Sequence, residues 1–150
     1  MKILVDADAC PVKHIIENVA KEFELPVIMI IDTSHILYSD YSEIVQVSKA
    51  PDAVDIALIN RTVAGDIAVT QDYGVATMVL GKKGYAINQN GRIYTNDNID
   101  LLMFERHIAK KQRRGGVRTS SIRKRTKEDD EHFEHSFRKL CQLVKNKKAD

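Results

Sequence analysis

The stretch Lys2-Ile-Leu-Val-Asp-Ala-Asp-Ala-Cys-Pro11 runs from an apolar segment directly into two acids and a predicted helix start. The Ile-Leu-Val run at 3–5 is typical of a parallel strand that is buried on both faces. Pro11 suits the first position of a helix, because its missing N–H is not needed there. Asp6 and Asp8 are therefore predicted at the carboxyl end of the first strand, the edge where open α/β sheets bind ligands.

Apolar runs and helical periodicities alternate along the rest of the chain. The patterns predict helices at about 11–24, 51–65, 73–80, 97–108 and 133–144, and strands or extended pieces at 27–31, 43–48, 67–70, 85–88 and 92–95. Strands separated by helices imply right-handed crossovers. The predicted fold class is α/β: a three-layer α/β/α domain over 1–109 with a mainly parallel central sheet, a basic segment at 110–127, and an added C-terminal helix at 128–150 packing on the same domain.

Length and composition narrow the class of protein. A chain of 150 residues with 29% charged residues is an ordinary globular domain. Its apolar runs are too short to cross a membrane, and acids interrupt any apolar signal core near the N-terminus. Two cysteines are too few for a disulfide or zinc framework. We therefore expect a cytoplasmic protein without a membrane partner.

The net charge of +2 hides a strong asymmetry. The basic segment 110–127 contains nine Lys or Arg and no acid, whereas the other 132 residues hold 14 basic and all 21 acidic residues, a net charge of −7. Such a segment suits a polyanionic partner, nucleic acid and RNA in particular, but is also compatible with a solvated connector. The predicted nucleic-acid contacts are Lys110, Lys111, Arg113, Arg114, Arg118, Arg123, Lys124 and Arg125, with Arg113, Arg114, Arg123 and Arg125 as the best suited to phosphate.

Further acids are predicted at the edge that holds Asp6. The second helix begins at this edge with Asp52 and Asp55 in its first turn, and the fourth strand ends there at Asp72. Asp66 begins that same strand, about 20 Å away, and is predicted at the opposite edge as a turn residue.

Two of these acids also have a purely structural interpretation. Asp52 fits a helix-capping arrangement, with another acid three residues later, and we favour capping for it. Asp8 is equally compatible with capping the first helix and with the site.

Clustered carboxylates raise one another's pKa unless a cation compensates them. Oxygen ligands without His or Cys suit Mg²⁺ or Mn²⁺, one or two ions, which can activate water against a phosphodiester. The predicted metal ligands are Asp6, Asp55 and Asp72. Asp8 completes the predicted catalytic set, either as an acid that closes the metal site or as an acid that lies behind the ligands.

Several blocks of the sequence resemble the bacterial YaiI/YqxD family, which is itself uncharacterised. They are Val-Asp-Ala-Asp-Ala-Cys-Pro at 5–11, Asp-Ala-Val-Asp at 52–55, Gly-Asp-Ile-Ala-Val-Thr-Gln-Asp at 65–72, Gly-Arg-Ile-Tyr-Thr at 91–95, and the basic stretch near Gly115. The likeness covers most of the chain.

That family is similar in turn to PIN-like nucleases, three-layer α/β domains whose acids at strand ends and helix starts bind divalent metal. By this resemblance, Asp6 corresponds to the acid on the first strand and Asp55 to the acid that opens a helix. Thr70 and Asp72 resemble the Thr-x-Asp at a strand end. The resemblance implies a metal-dependent nuclease.

Two alternatives remain open from the residues. A haloacid-dehalogenase-like phosphatase also begins with a strand followed by Asp-x-Asp, as at Asp6 and Asp8, and Asp66 with Asp72 resembles its last acidic motif. A nucleic-acid-binding module without turnover would use the basic segment alone. Metal-dependent cleavage separates the nuclease from the binding module.

Overall fold

The computed structural model describes residues 1–116 and 123–149, and within them the chain forms six strands and five helices. All six strands belong to one sheet, in the spatial order β3-β2-β1-β4-β5-β6. Neighbouring strands are parallel except for β6, which runs antiparallel to β5. The strands are β1 (Ile3–Asp6), β2 (Val27–Asp32), β3 (Glu43–Val47), β4 (Ile67–Val69), β5 (Tyr85–Ile87) and β6 (Ile93–Tyr94). The predicted α/β class with a mainly parallel sheet is confirmed.

Helices cover both faces of the sheet. They are α1 (Lys13–Glu22), α2 (Ala53–Arg61), α3 (Tyr73–Gly81), α4 (Ile99–Arg114) and α5 (Lys127–Ala149). On one face, α1 and α5 enclose a core that includes Ile16, Val19, Phe133, Phe137 and Leu140. On the other, α2, α3 and α4 enclose a second core that includes Leu58, Val75, Val79, Ile99 and Leu102. The protein is therefore a three-layer α/β/α domain.

The alternation of side chains along β1 decides which way Asp6 faces. Ile3 and Val5 belong to the core under α1 and α5, whereas Leu4 belongs to the core under α2 and α3. Successive strand residues point to opposite faces, so Asp6 follows Leu4 and lies on the side of α2. This side also holds the predicted ligand Asp55, in the first turn of α2.

The order of the strands creates a binding crevice. From β1 the chain passes through β2 to β3 on one side, and then crosses through α2 to β4 on the other side of β1. The connections leaving β1 and β4 therefore diverge at their carboxyl ends. Such a point of reversal is where open α/β sheets bind ligands.

Several helix boundaries differ from those expected, and two of them affect the candidate functional residues. Helix α1 begins at Lys13, and Pro11 lies in a turn before it, because the loop after β1 has its own contacts. The ammonium of Lys13 donates to the carbonyl oxygens of Ala7 and Cys10, at 3.1 and 2.9 Å. Helix α4 extends to Arg114, so the first five residues of the basic segment are helical.

Among the described residues, the five helices include none with both the length and the apolar character needed to cross a bilayer.

Candidate active site

A cavity of about 220 Å³ opens at the carboxyl ends of β1 and β4. Its walls come from the loops that follow these two strands, together with one residue after β5 and one from α4. They are Asp6, Ala9, Cys10, Val69, Thr70, Gln71, Asp72, Gln89 and Arg106. The cavity therefore occupies the crevice that the strand order creates.

Thr70 links the two acids of the cavity. Its hydroxyl lies 3.5 Å from Oδ2 of Asp6 and accepts a hydrogen bond from the backbone N–H of Asp72 at 3.0 Å. Oδ1 of Asp72 accepts from the N–H of Val75 at 3.0 Å, which makes Asp72 the N-cap of α3. One carboxylate oxygen of Asp72 is thus used by the helix, and the local hydrogen bonds fix where both acids sit.

The acids of this edge interact electrostatically. The pKa of Asp6 is raised to about 6, first by burial and then by the charges of Asp55, Asp8 and Asp72. The pKa of Asp55 is also raised, by burial and then by Asp72 and Asp52. In the described part of the chain, Asp6, Asp55 and Asp72 have no salt-bridge partner. The structure thus brings all five predicted acids into one negative region, in which no described cation pairs with Asp6, Asp55 or Asp72.

Asp52 does not cap α2 with its side chain, and the capping interpretation favoured from the sequence is wrong. Its backbone is left-handed, with φ of 65°, and its carboxylate makes no capping hydrogen bond. A capping side chain requires an extended backbone at that position. The charge of Asp52 therefore remains available to the acidic region, where it raises the pKa of Asp55.

A second group of candidate ligands lies beside the first. Among the described residues, Asp8, Asp32 and His35 form the one group of three whose ligand atoms all lie within 4.8 Å of one another. Nδ1 of His35 is 3.1 Å from Asp8 and 3.2 Å from Asp32. The pKa of Asp32 is lowered, mainly by hydrogen bonds from Ser34. Asp6, Asp55 and Asp72, by contrast, are not this closely grouped.

Asp8 does not cap α1, because its carboxylate accepts the backbone N–H of Asp32, at 3.3 and 3.2 Å from its two oxygens. Asp32 and His35 were not predicted from the sequence as site residues. A signal was available: Asp32 ends β2, a parallel neighbour of β1, so its carboxylate reaches the same edge of the sheet.

Asp66 lies at the opposite edge, as predicted. It precedes Ile67, which pairs with Ile3 at the amino end of β1. It is fully buried and accepts hydrogen bonds from the backbone and ammonium of Lys2, at 3.1 and 2.6 Å, and from the N–H of Val63 at 2.8 Å. Asp66 is therefore a structural carboxylate, more deeply buried than a turn residue would be.

Two polar side chains that reach the cavity from outside the loops after β1 and β4 were not predicted. The guanidinium of Arg106 lies 5.5 Å from the ring centre of Tyr73, which packs edge-on against Tyr94. Arg106 forms no salt bridge with any described residue. Oε1 of Gln89 is buried and accepts no hydrogen bond within the described part of the chain. The cavity thus offers an unpaired cation and an unused acceptor beside the acids.

The predicted nucleic-acid contacts differ in whether their charges are free or paired. Lys110, Lys111, Arg113 and Arg114 are exposed at the end of α4, and Lys124 is exposed before α5. Arg123 instead pairs with Asp129 at 2.7 Å. Arg118 lies outside the described residues.

Arg125 is committed to the fold. It binds Asp130 at 2.7 Å, the carbonyl oxygen of Gln89 at 2.7 Å and the side chain of Asn90 at 2.9 Å. These contacts tie the loop that carries Gln89 to the start of α5. Arg125 is therefore a support for the cavity wall, whereas the side chain of Arg123 is mostly exposed, and its role as a phosphate contact stays a prediction.

Comparison with known proteins shows that the chain matches one family. Residues 4–143 match the family described as "Uncharacterized BCR, YaiI/YqxD family". A "UPF0178 protein" of Lachnoclostridium phytofermentans is 61% identical over 147 residues, covering 96% of this chain and 99% of the relative. Another, of Ruminiclostridium cellulolyticum, is 63% identical over 137 residues, covering 91% and 90%. No solved structure matches the chain significantly.

Proposed function

Since this chain belongs to the YaiI/YqxD family, whose description assigns no activity, we propose from its own residues that it is a Mg²⁺- or Mn²⁺-dependent nuclease. One observation carries the proposal. Asp6, Asp55 and Asp72 converge from a strand end and two helix starts on the crevice between β1 and β4, and no cation among the described residues pairs with them. The resemblance to PIN-like nucleases supports the same chemistry by analogy.

The donor set fits a hard divalent cation. Asp6, Asp55 and Asp72 would hold it through carboxylate oxygens, the ligands that Mg²⁺ and Mn²⁺ prefer. Their oxygens are not all within 4.8 Å of one another, so the side chains would draw together on binding. Burial, and then the charges of Asp55, Asp8 and Asp72, raise the pKa of Asp6 to about 6, and such a cation would compensate the repulsion among these charges.

Several polar residues at this edge of the sheet have a definable task in phosphodiester hydrolysis. A bound divalent cation would supply activation of water and neutralisation of phosphate charge. Thr70 and the N–H of Val75 hold Asp6 and Asp72 in place. Arg106 would bind a phosphate oxygen, since its guanidinium is unpaired. Asp8, held by the N–H of Asp32, would take up the proton of the attacking water.

The test is cleavage of end-labelled single-stranded RNA and DNA by the full chain. We expect cleavage in Mn²⁺ or Mg²⁺ and none with excess EDTA, with activity restored when the cation is returned. Binding of either polymer without cleavage under any of these ions would contradict the nuclease and favour the binding module.

The phosphatase alternative loses its second motif in this fold. Asp66 is fully buried with Lys2 at the amino end of β4, on the far side of the sheet from Asp72. It cannot share a catalytic loop with Asp6 and Asp8. This separation disfavours a covalent aspartyl-phosphate mechanism.

The exposed cations near the end of α4 are proposed to hold the nucleic-acid backbone. Replacing Lys110, Arg113 and Lys124 together with Gln is expected to weaken the salt dependence of binding. The negative slope of log affinity against log salt should become shallower by about 2, since each contact with a single strand contributes about 0.7. Fluorescence anisotropy with labelled RNA at several salt concentrations measures the slope.

The matched control removes the same charge elsewhere, at the exposed residues Lys49, Lys83 and Lys139. Its slope should stay close to that of the wild type. If both triple variants behave alike, net charge alone accounts for the binding, and the basic segment makes no local contact.

A further inference from the structure

Helix α4 exposes an unusual amount of apolar side chain. Of the ten large hydrophobic residues exposed in the described part of the chain, four lie on this one helix. Leu101 is 59% exposed, Phe104 60% and Ile108 36%, whereas Met103 lies next to Thr77 of α3. Contiguous apolar surface of this kind marks an interaction site, whereas single exposed residues do not.

The spacing of these residues defines a stripe on the outer face of the helix. Ile99 and Leu102 are buried against the domain, and Arg106 on the same side faces Tyr73. Leu101, Phe104 and Ile108 follow the i, i+3, i+7 spacing of a helix-pairing seam, and it points away from that buried side. The apolar stripe, defined as Leu101, Phe104 and Ile108, is therefore exposed in the described chain, most of all at Leu101 and Phe104.

Charges of opposite sign flank the two ends of the apolar stripe. Asp100 lies beside its beginning, and Lys111 and Arg114 lie beside its end. Within the described residues, neither Asp100 nor Arg114 has a salt-bridge partner. A helix with one acidic and one basic end is complementary to itself when it is reversed.

From this pattern we propose that the chain forms a two-fold symmetric dimer by antiparallel pairing of α4 with α4 of a second copy. In this register Phe104 packs against Ile108 of the second copy, and Leu101 packs against the aliphatic stem of its Lys111. Asp100 then meets Arg114 of the second copy, and symmetry repeats every contact. The dimer does not depend on the proposed nuclease activity.

Other occupants fit the surface less well. A nucleic acid would leave the apolar stripe in water. An anionic membrane would attract Lys111 and Arg114 at one end of the stripe but would be repelled by Asp100 and Glu105, so it matches only part of the charge pattern. The self-pairing has one unfavourable contact of its own, because Glu105 meets Glu105 of the second copy near the two-fold axis. The register therefore predicts variants that strengthen the dimer as well as variants that weaken it.

Sedimentation equilibrium of the full chain tests the dimer itself. We expect a concentration-dependent dimer that Phe104→Glu weakens by at least 100-fold. Val63→Glu is the matched control, because Val63 is 58% exposed but lies outside α4, and it should leave the dimer unchanged. Circular dichroism checks that each variant remains folded.

Charge variants test the register. Asp100→Arg and Arg114→Asp should each weaken the dimer about tenfold, and the double variant should recover most of the loss, whereas Glu105→Gln should strengthen the dimer. In addition, a mixture of Phe104→Cys and Ile108→Cys chains should form more disulfide-linked dimer than either variant alone, because these two positions face each other in the dimer. The native Cys10 and Cys141 are buried and should not interfere.

Several outcomes would overturn the proposal. A wild-type chain that stays monomeric at every concentration would do so, as would a dimer insensitive to Phe104→Glu. A dimer that Phe104→Glu disrupts, but whose charge variants show no rescue, would refute the antiparallel register. Monomers that bind vesicles of anionic phospholipid through Phe104 would assign the stripe to a membrane surface instead.

Discussion

An Asp6→Asn variant is expected to lose metal-dependent cleavage and Mn²⁺ binding, yet to be more stable than the wild type in EDTA at neutral pH. The loss of cleavage should reach about 1,000-fold, because the variant removes the ligand at the centre of the acidic region. The gain in stability has the same origin: without a cation, Asp6 is a partly buried charge repelled by Asp55, Asp8 and Asp72.

The gain in stability should depend on pH in a defined direction. The pKa of Asp6 is about 6 in the folded protein and 3.8 in the reference state, so the folded state binds the proton more tightly. The contribution of Asp6 to the stability of the wild type therefore falls as pH rises from about 4 to 6, by at most about 3 kcal/mol. The advantage of Asp6→Asn should be complete above pH 6 and should vanish below about pH 4.

Calorimetry with Mn²⁺ and urea unfolding in EDTA measure the two effects on the same samples. Asp97→Asn serves as control, because Asp97 is exposed and lies outside the acidic region. A folded Asp6→Asn variant that binds Mn²⁺ as well as the wild type would refute the metal assignment. An Asp6→Asn variant less stable than the wild type at neutral pH would show that Asp6 has a structural role.

Replacing Asp66 with Asn is expected to have the opposite profile, a large loss of stability with the metal site intact. Asp66 is fully buried and accepts three hydrogen bonds, two from Lys2 and one from Val63. Removing one partner of such a pair leaves the other charge uncompensated, and the cost is about 3–5 kcal/mol. The partly exposed ammonium of Lys2 should hold the loss to about 3 kcal/mol.

The comparison with Asp72→Asn makes this prediction specific to the topology. The two acids stand at opposite ends of β4, and we expect Asp72→Asn to abolish Mn²⁺ binding while Asp66→Asn, studied below its unfolding transition, preserves it. A Lys2→Met change in the Asp66→Asn background should recover part of the lost stability. If folded Asp66→Asn protein fails to bind Mn²⁺, the prediction that only the acids at the edge of Asp72 form the metal site is refuted.

The sequence by itself determined the layers of this protein and the edge at which its acids gather. Buried apolar runs separated by helical periodicities are local signals, and the crossover rule turns them into a parallel sheet. From there, the position of an acid at the start or end of its strand is enough to separate Asp66 from Asp72. That is why the convergence of Asp6, Asp55 and Asp72 could be predicted without coordinates.

Only the tertiary structure decided which other groups share that edge and how each is used. Asp32 and His35 reach Asp8 through the pairing of β2 with β1, and Arg106 reaches the cavity because α4 packs against α3. Arg125 looked like a phosphate contact but binds Gln89 and Asn90, 36 and 35 residues away in sequence. Contacts between distant segments depend on how the layers pack, and local residue patterns carry no record of that packing.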